Sequence, residues 1–279
     1  MAAPQLLVLA LARDCELYLP RLFAFLDTLN EGGEKPHAFV GENGSRDGTR
    51  ALVEARARDR GDASLVDTAA MTDVHGRYDR MAIGRDIVAA AAAGAGPEDS
   101  VILLDLDSVI ERLPTHGQIA SAVALLDARP DLAGVAASSR PYYYDLLALR
   151  WPGRFDRNVG LEIDRHRRHP LRYYRTFRRQ IYPEQRQVTV ATDRYCTSAF
   201  NGMCVYRARD YFAQTYSAAA PLAVCEHVPF NQAICARGDR RILISDDLPV
   251  AMPAEHGPIS AAGFFVGRAR KALRTWRAS

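Results

Sequence analysis

Val101-Ile102-Leu103-Leu104-Asp105-Leu106-Asp107-Ser108 is an apolar run of strand length that ends in two carboxylates one residue apart. In an extended chain, side chains two apart point to the same face, so Asp105 and Asp107 project together where a buried strand meets solvent. Two adjacent carboxylates repel each other, and the pair calls for a proton, a cation or a basic ligand. A polar strand end at a loop accounts for many Asp-x-Asp tripeptides, so the flanking sequence has to decide between the two.

Upstream of this strand the chain alternates short apolar runs with helical periods, the pattern of a parallel sheet with crossover helices. Leu6–Leu11 is a buried-type strand, and Cys15–Leu29 carries Tyr18, Leu22, Phe25, Leu26 and Leu29 at helical spacing before Gly32-Gly33. His37–Gly41 is the second strand, followed by the turn-rich loop Glu42-Asn43-Gly44-Ser45-Arg46-Asp47-Gly48-Thr49. Such a loop lies past the carboxyl end of a strand, where ligands bind in open α/β sheets. Thr49–Arg60 reads as a helix, Ser64–Asp67 as a strand, Asp79–Ala93 as a helix, and Ser100–Leu106 as the acidic strand.

Downstream, Gln118–Ala128 is helical and Leu132–Ala137 a strand. Residues 140–186 break the rhythm, being rich in Arg and Tyr and poor in aliphatic runs. Strand patterns resume at Gln187–Ala191 and Met203–Tyr206, helical ones at Arg207–Tyr216 and Pro229–Arg237, and Arg241–Ser245 is the last strand. Ile259–Arg277 has the spacing of a basic amphipathic helix. We expect one domain over 1–279: a nucleotide-binding half (1–110), an acceptor half (111–257) with the irregular insertion 140–186, and a basic tail (258–279).

The 279 residues are 48% hydrophobic and 25% charged, an ordinary globular composition, and the net charge of +3 is too small to indicate nucleic acid. There is no run of 18 apolar residues, and the first residues, Met-Ala-Ala-Pro-Gln, lack a basic n-region. Five cysteines without a C-x-x-C pair signal neither a disulfide framework nor a zinc site, and a cytoplasmic location follows as an expectation.

Strand, helix, strand, then Glu-Asn-Gly-Ser-Arg-Asp-Gly-Thr and later Asp-x-Asp resembles the order found in GT-A glycosyltransferases. Tyr142-Tyr143-Tyr144-Asp145-Leu146-Leu147-Ala148-Leu149-Arg150, Phe200-Asn201-Gly202-Met203 and Cys225-Glu226-His227-Val228-Pro229-Phe230-Asn231 resemble motifs of the capsule-associated (cryptococcal-type) alpha-mannosyltransferases. The resemblance runs over roughly residues 5–256. It implies an α/β fold of the GT-A (Rossmann-like) type, with a mostly parallel central sheet flanked by helices. It also implies transfer of a hexose, mannose in that group, from a nucleoside diphosphate sugar to a glycan or lipid-linked acceptor in surface polysaccharide synthesis.

By that resemblance Asp107 binds Mn2+ or Mg2+ directly, and Asp105 reaches the ribose or the metal through water. Carboxylate oxygens suit such cations, and a divalent ion stabilises the charge developing on a leaving diphosphate. His256 is late in the chain, as is the metal-binding His of many GT-A enzymes; a solvated loop His is the alternative. Glu42, with Asn43, is expected at the base or ribose, although Ser45 and Asp47 could simply cap the following helix. Arg13 is a donor-side candidate past the first strand. By the resemblance, Arg80 and Arg85 are donor-side candidates that reach the diphosphate or brace the acidic pair, with an exposed helix charge as the alternative for either.

At Glu226-His227, many inverting relatives carry Glu-Asp with Asp as the base. Here His227 or Glu226 could take the acceptor proton, or the pair could only hold the acceptor. The capsule group is retaining, which favours retention. Tyr144, Asn201 and Gly202 are acceptor-side candidates, a plain turn being the alternative for the last two. The insertion is expected to cup the acceptor. The tail 259–277 is expected to make a peripheral contact on the inner face of a membrane, against the alternative of a solvated basic surface.

Two other classes stay open. In a haloacid-dehalogenase-type phosphatase Asp105 would be the nucleophile and Asp246-Asp247 the distal acidic pair. A nucleotide-sugar-binding protein without turnover would bind the donor and form no product.

Overall fold

A computed structural model describes residues 5–192, 194–217, 222–257, 260 and 263–266. Eight strands among them form one sheet: β1 Leu6–Ala12, β2 Pro36–Glu42, β3 Ala63–Asp67, β4 Ser100–Asp105, β5 Leu132–Arg140, β6 Tyr195–Cys196, β7 Met203–Arg207 and β8 Arg241–Ala251. Their order is 3-2-1-4-7-5-8-6. The pairs β1–β2, β1–β4, β2–β3 and β5–β8 are parallel, whereas β7 runs antiparallel to both β4 and β5 and β6 runs antiparallel to β8.

Helices cover both faces, which is why the central strands are continuous apolar runs rather than alternating ones. On one face Leu6, Val8, Ala10, Ile102 and Leu104 meet α1 (Leu19–Glu31), α2 (Thr49–Arg60) and α4 (His116–Ala128). α1 points Leu19, Leu22, Phe25, Leu26 and Leu29 at the sheet, and each such side chain contributes about 1.5–3 kcal/mol when buried. On the other face Leu7, Leu9, Val101 and Leu103 pack with α3 (Arg77–Ala91) and with aromatic residues from the second half of the chain.

Residues 140–186, expected to be irregular, supply α5 (Val159–His166), α6 (Pro170–Thr176), a π turn over Phe177–Ile181 and the start of α7 (Tyr182–Val190). Trp151, Phe155, Val159, Ile181 and Tyr182 from this segment are buried in the core of that face. Gln187–Ala191, expected as a strand, closes α7 instead: Gln185, Val188 and Thr189 are its buried residues, at helical rather than alternate spacing. α8 is limited to Ala208–Tyr211, and α9 spans His227–Ala236.

The chain runs from β1 outward to β2 and β3, then crosses back to place β4 on the other side of β1. This reversal opens a crevice at the carboxyl ends of β1 and β4, the place where open α/β sheets take their ligands.

Candidate active site

Asp105 is the last residue of β4, and its N–H donates to the Gly202 carbonyl (2.9 Å). Leu106 returns to the core, so Asp107 emerges on the same side as Asp105, as the alternation requires. Asp107 is exposed and caps the 3-10 turn Ser108–Glu111, its Oδ1 accepting from Val109 N (2.8 Å). The turn is anchored by Cys15, whose buried thiol donates to the Leu106 carbonyl (3.1 Å).

Beneath the pair lies Arg85 of α3, almost completely buried. Its Nη2 donates to Asp105 Oδ1 (3.1 Å) and its Nε to Glu226 Oε1 (3.2 Å), joining residues 141 positions apart. The guanidinium also sits over the rings of Phe200 (5.4 Å) and Tyr216 (5.9 Å). Between the two candidate roles of Arg85, this is the brace, and the exposed-charge alternative does not hold. Burial pushes the Asp105 carboxyl up to about 7; the Arg85 cation opposes that, and the neighbouring Asp107 and Glu226 reinforce it. About a third of the Asp105 side chain (32%) still reaches solvent, so it remains open to a ligand.

The loop past β2 forms the adjoining wall. Glu42 and Asn43 are buried. Glu42 Oε1 accepts from Ser45 N (2.5 Å), Arg50 lies 3.7 Å from its other oxygen, and Asn43 Oδ1 accepts from the Thr72 hydroxyl (3.0 Å). This loop is laced to the one past β1, which carries Arg13: Asp14 N donates to Ser45 Oγ (3.0 Å), Arg46 N to Asp14 Oδ1 (2.8 Å) and Gly48 N to Glu16 Oε2 (2.7 Å). Arg80, in the first turn of α3, is half-buried and forms no side-chain hydrogen bond or ion pair among the described residues.

Tyr144 closes the opposite side. Burial together with Asp105, Asp145 and Asp107 raises its phenol well above the ordinary range, so it remains a neutral donor facing the carboxylates. The exposed His256 ring stacks on it (5.1 Å between centroids, 13°). Gly202 follows in a left-handed turn (φ 84°); a Cβ there would stand 2.7 Å from the Tyr144 hydroxyl and 2.6 Å from Val109 Cγ1. Only glycine allows this close approach.

Asn201, also left-handed (φ 58°), is fully buried. Its amide oxygen accepts from Tyr144 N (3.1 Å) and Asp145 N (3.3 Å), and its amide nitrogen donates to Ser139 Oγ (3.1 Å). It therefore sets the position of Tyr144, and its side chain is buried away from the surface an acceptor would reach.

His227 departs from what a solvent-facing base requires. Its ring is sealed in the core, stacked on Phe200 (3.9 Å between centroids), with Nε2 3.6 Å from Glu226 Oε1 and Nδ1 without a hydrogen-bond partner among the described residues. Burial, with the nearby Arg85 cation, holds its pKa well below the ordinary histidine value. The unfolded chain therefore takes up a proton below about pH 6.5 that the folded chain refuses, so this residue contributes instability that grows as pH falls. We expect His227→Gln to gain on the wild type by about 1.4 kcal/mol per pH unit below that point, measured by denaturant unfolding across pH 4–7. Parallel stability curves for the two proteins would defeat this expectation.

Two groups were not legible in the sequence: Asp145, whose carboxylate accepts from Ala148 N (3.2 Å) and Asn201 N (3.2 Å), and the Phe200–Tyr216 box around Arg85. Asp145 lies inside a motif that was singled out, and only its partners were unknown. Asp246 is bound by Ser138 (2.6 Å), Arg140 (3.0 Å) and Arg194 (2.7 Å) on β8, three strands from β4 or about 14 Å by strand spacing. It cannot serve Asp105 as the distal pair of a phosphatase. Among the described residues no three His, Cys, Asp or Glu side chains form a ready metal cage.

The sheet order, the crevice and the acidic strand end define the GT-A fold. The chain is similar to glucosyl-3-phosphoglycerate synthase of Mycobacterium tuberculosis: TM-score 0.50 and 15% identity, covering 94% of this chain and 76% of that one. The same enzyme in complex with Mn2+, uridine-diphosphate and phosphoglyceric acid gives a TM-score of 0.48 at 16% identity, over 94% and 73% of the two chains. A mannosyltransferase of Pyrobaculum calidifontis in complex with GDP-Man and Mn2+ gives 0.49 at 15% identity, over 97% of this chain and 61% of that one. No family model matches the sequence, and no curated protein matches it. No helix among the described residues is long and apolar enough to cross a membrane.

Proposed function

We propose that the chain is a metal-dependent GT-A glycosyltransferase that moves a hexose from a nucleoside diphosphate sugar to a glycan or lipid-linked acceptor. The observation that carries this is the pair of solvent-reaching carboxylates at one strand end: Asp105, the last residue of β4, and the exposed Asp107 that caps the following turn. Two converging carboxylates repel each other, and a divalent cation relieves that cost. Hard carboxylate oxygens suit Mg2+ or Mn2+, and His256, one ring away over Tyr144, adds a nitrogen that suits Mn2+. Such cations bind through one or two carboxylates plus substrate phosphates, so a site short of a full protein cage fits them. When bound, the ion supplies charge stabilisation to the departing diphosphate.

The chain's own residues then divide the work. Glu42 and Asn43 receive the nucleoside, and Arg13 and Arg80 are cations available to the phosphates. The neutral Tyr144 hydroxyl donates toward the site, and Arg85 fixes Asp105 and Glu226 in one frame. Of the Glu226–His227 pair, Glu226, held by Arg85, is left as the candidate for the acceptor proton, because the His227 ring is sealed in the core. Mannose as the sugar, membership of the capsule-associated group and retention of configuration rest on the motif resemblance. The same holds for the division into a nucleotide-binding half and an acceptor half.

A screen of nucleotide sugars with manganese, reading released nucleotide, tests the proposal; turnover of an aryl phosphate without any nucleotide sugar, or donor binding with no release, would overturn it. Glu42→Ala should raise the donor KM by roughly tenfold and leave kcat within about twofold, because nucleoside contacts are equal in ground and transition states. A large loss of kcat at unchanged KM would instead give Glu42 a role in the chemical step.

A further inference from the structure

Among the described residues six large hydrophobic side chains are exposed, and five of them, Leu161, Leu171, Val190, Phe265 and Val266, belong to the insertion helices and the turn at 263–266. The same helices carry the charge. Residues 154–186 hold ten arginines against four carboxylates, a net +6 in a chain whose total is +3. Arg157 is consumed by Glu162 and Glu184. Arg165, Arg168, Arg172, Arg175, Arg178 and Arg179 are exposed and make no ion pair among the described residues.

The two features coincide on one surface. Leu171, Arg175, Arg178 and Arg179 recur at i, i+4, i+7 and i+8 along α6 and the following π turn, and all four are exposed. The inner side of that helix holds Tyr173 and Tyr174, whose rings receive Phe264 (5.6 and 5.1 Å) and leave Phe265 (5.7 Å from Tyr174) and Val266 at the rim. A segment distant in sequence is thereby locked beside α6, so that aliphatic side chains stand among unpaired guanidinium groups.

We infer that the α6 face, together with the 263–266 turn, docks on the anionic surface of a lipid bilayer. Unpaired arginines match phosphate headgroups, and Leu171 (64% exposed) and Val266 reach the acyl boundary. A single-stranded nucleic acid would instead need free aromatic rings to stack on bases, whereas Tyr173 and Tyr174 are occupied by Phe264 and Phe265. The docked helix leads into the site. In α7 the Gln185 side-chain amide donates to the carbonyls of Tyr144 (3.2 Å) and His256 (3.2 Å), which places the bilayer contact and the crevice on one connected unit. A lipid-linked acceptor presented at that surface would meet the acceptor side. That last consequence rests on the proposed function; the docking itself does not.

The test uses the full chain, with vesicles of phosphatidylcholine plus phosphatidylglycerol and vesicles of phosphatidylcholine alone. Sedimentation should occur with the first only and weaken with salt. Arg175→Gln, Arg178→Gln and Arg179→Gln together should weaken it about a hundredfold. Leu171→Asn with Val266→Asn should remove the part that survives high salt, while circular dichroism and donor turnover stay at wild-type values. No sedimentation of the wild type, equal binding to both vesicles, or an arginine variant indistinguishable from wild type would overturn the inference. So would tight binding of an oligonucleotide in the absence of vesicle binding. Because the vesicle assay contains no donor sugar, its failure leaves the transfer reaction untouched, and the reverse is equally true.

Discussion

Asp107→Asn lowers transfer from the nucleoside diphosphate sugar by a factor on the order of 10³ or more, while the protein stays folded. The fold survives because the structural duty of this side chain is the cap on Val109 N, and an asparagine Oδ1 accepts that bond equally well. What disappears is a formal charge next to Asp105, and with it the ability the proposed function assigns to the pair, that of holding a divalent cation against the leaving diphosphate. An electrostatic contribution of several kcal/mol in the transition state corresponds to that factor. The measurement is single-turnover transfer at saturating donor with manganese titrated, beside a thermal melt. Near-normal rates in the variant, or undiminished wild-type rates after chelation, would remove the metal from the mechanism.

Arg85→Met is expected to cost about 3–5 kcal/mol of stability, because removing the buried cation leaves the buried Glu226 carboxylate without its partner and takes the brace from Asp105. Methionine fills similar volume between Phe200 and Tyr216, so packing loss is the smaller part. The diagnostic is the triple variant Arg85→Met, Asp105→Asn, Glu226→Gln. With all three charges gone, most of the lost stability returns, whereas transfer does not. Urea unfolding of the single and triple variants reads the difference. Equal destabilisation of both would assign the cost to packing and remove the ionic frame as the reason Arg85 is there.

Much of this site was legible in order along the chain. The apolar run Val101–Leu104 followed by Asp105 and Asp107 specified a doubly buried strand with its acidic end in solvent, since side chains alternate in any extended chain. Glu42–Thr49 likewise read correctly as a loop at a strand end, because turn chemistry is local. The tail at 259–277 falls largely outside the described residues, of which only 260 and 263–266 bear on it.

Local composition misled where partners are distant. Gln187–Ala191 is β-branched and reads as a strand, yet it closes a helix because the core contacts of Gln185, Val188 and Thr189 outweigh intrinsic propensity. The segment 140–186 hid its helical period under arginines that face solvent and aromatics that face the core.

By itself the sequence determined the succession of strands and helices along the first half and the acidic pair, both set by periodicities of two and 3.6 residues. Only the tertiary structure decided the roles of Arg85, His227 and Asn201. A charge, an imidazole and an amide each look the same in a sequence whether they face water or a partner. Arg85 became a brace because folding brings Glu226 and Asp105 to neighbouring nitrogens, Nε and Nη2, of one guanidinium. His227 became a neutral core group because Phe200 covers its ring, and Asn201 became a backbone clamp because its left-handed turn aims its amide at Tyr144 and Asp145.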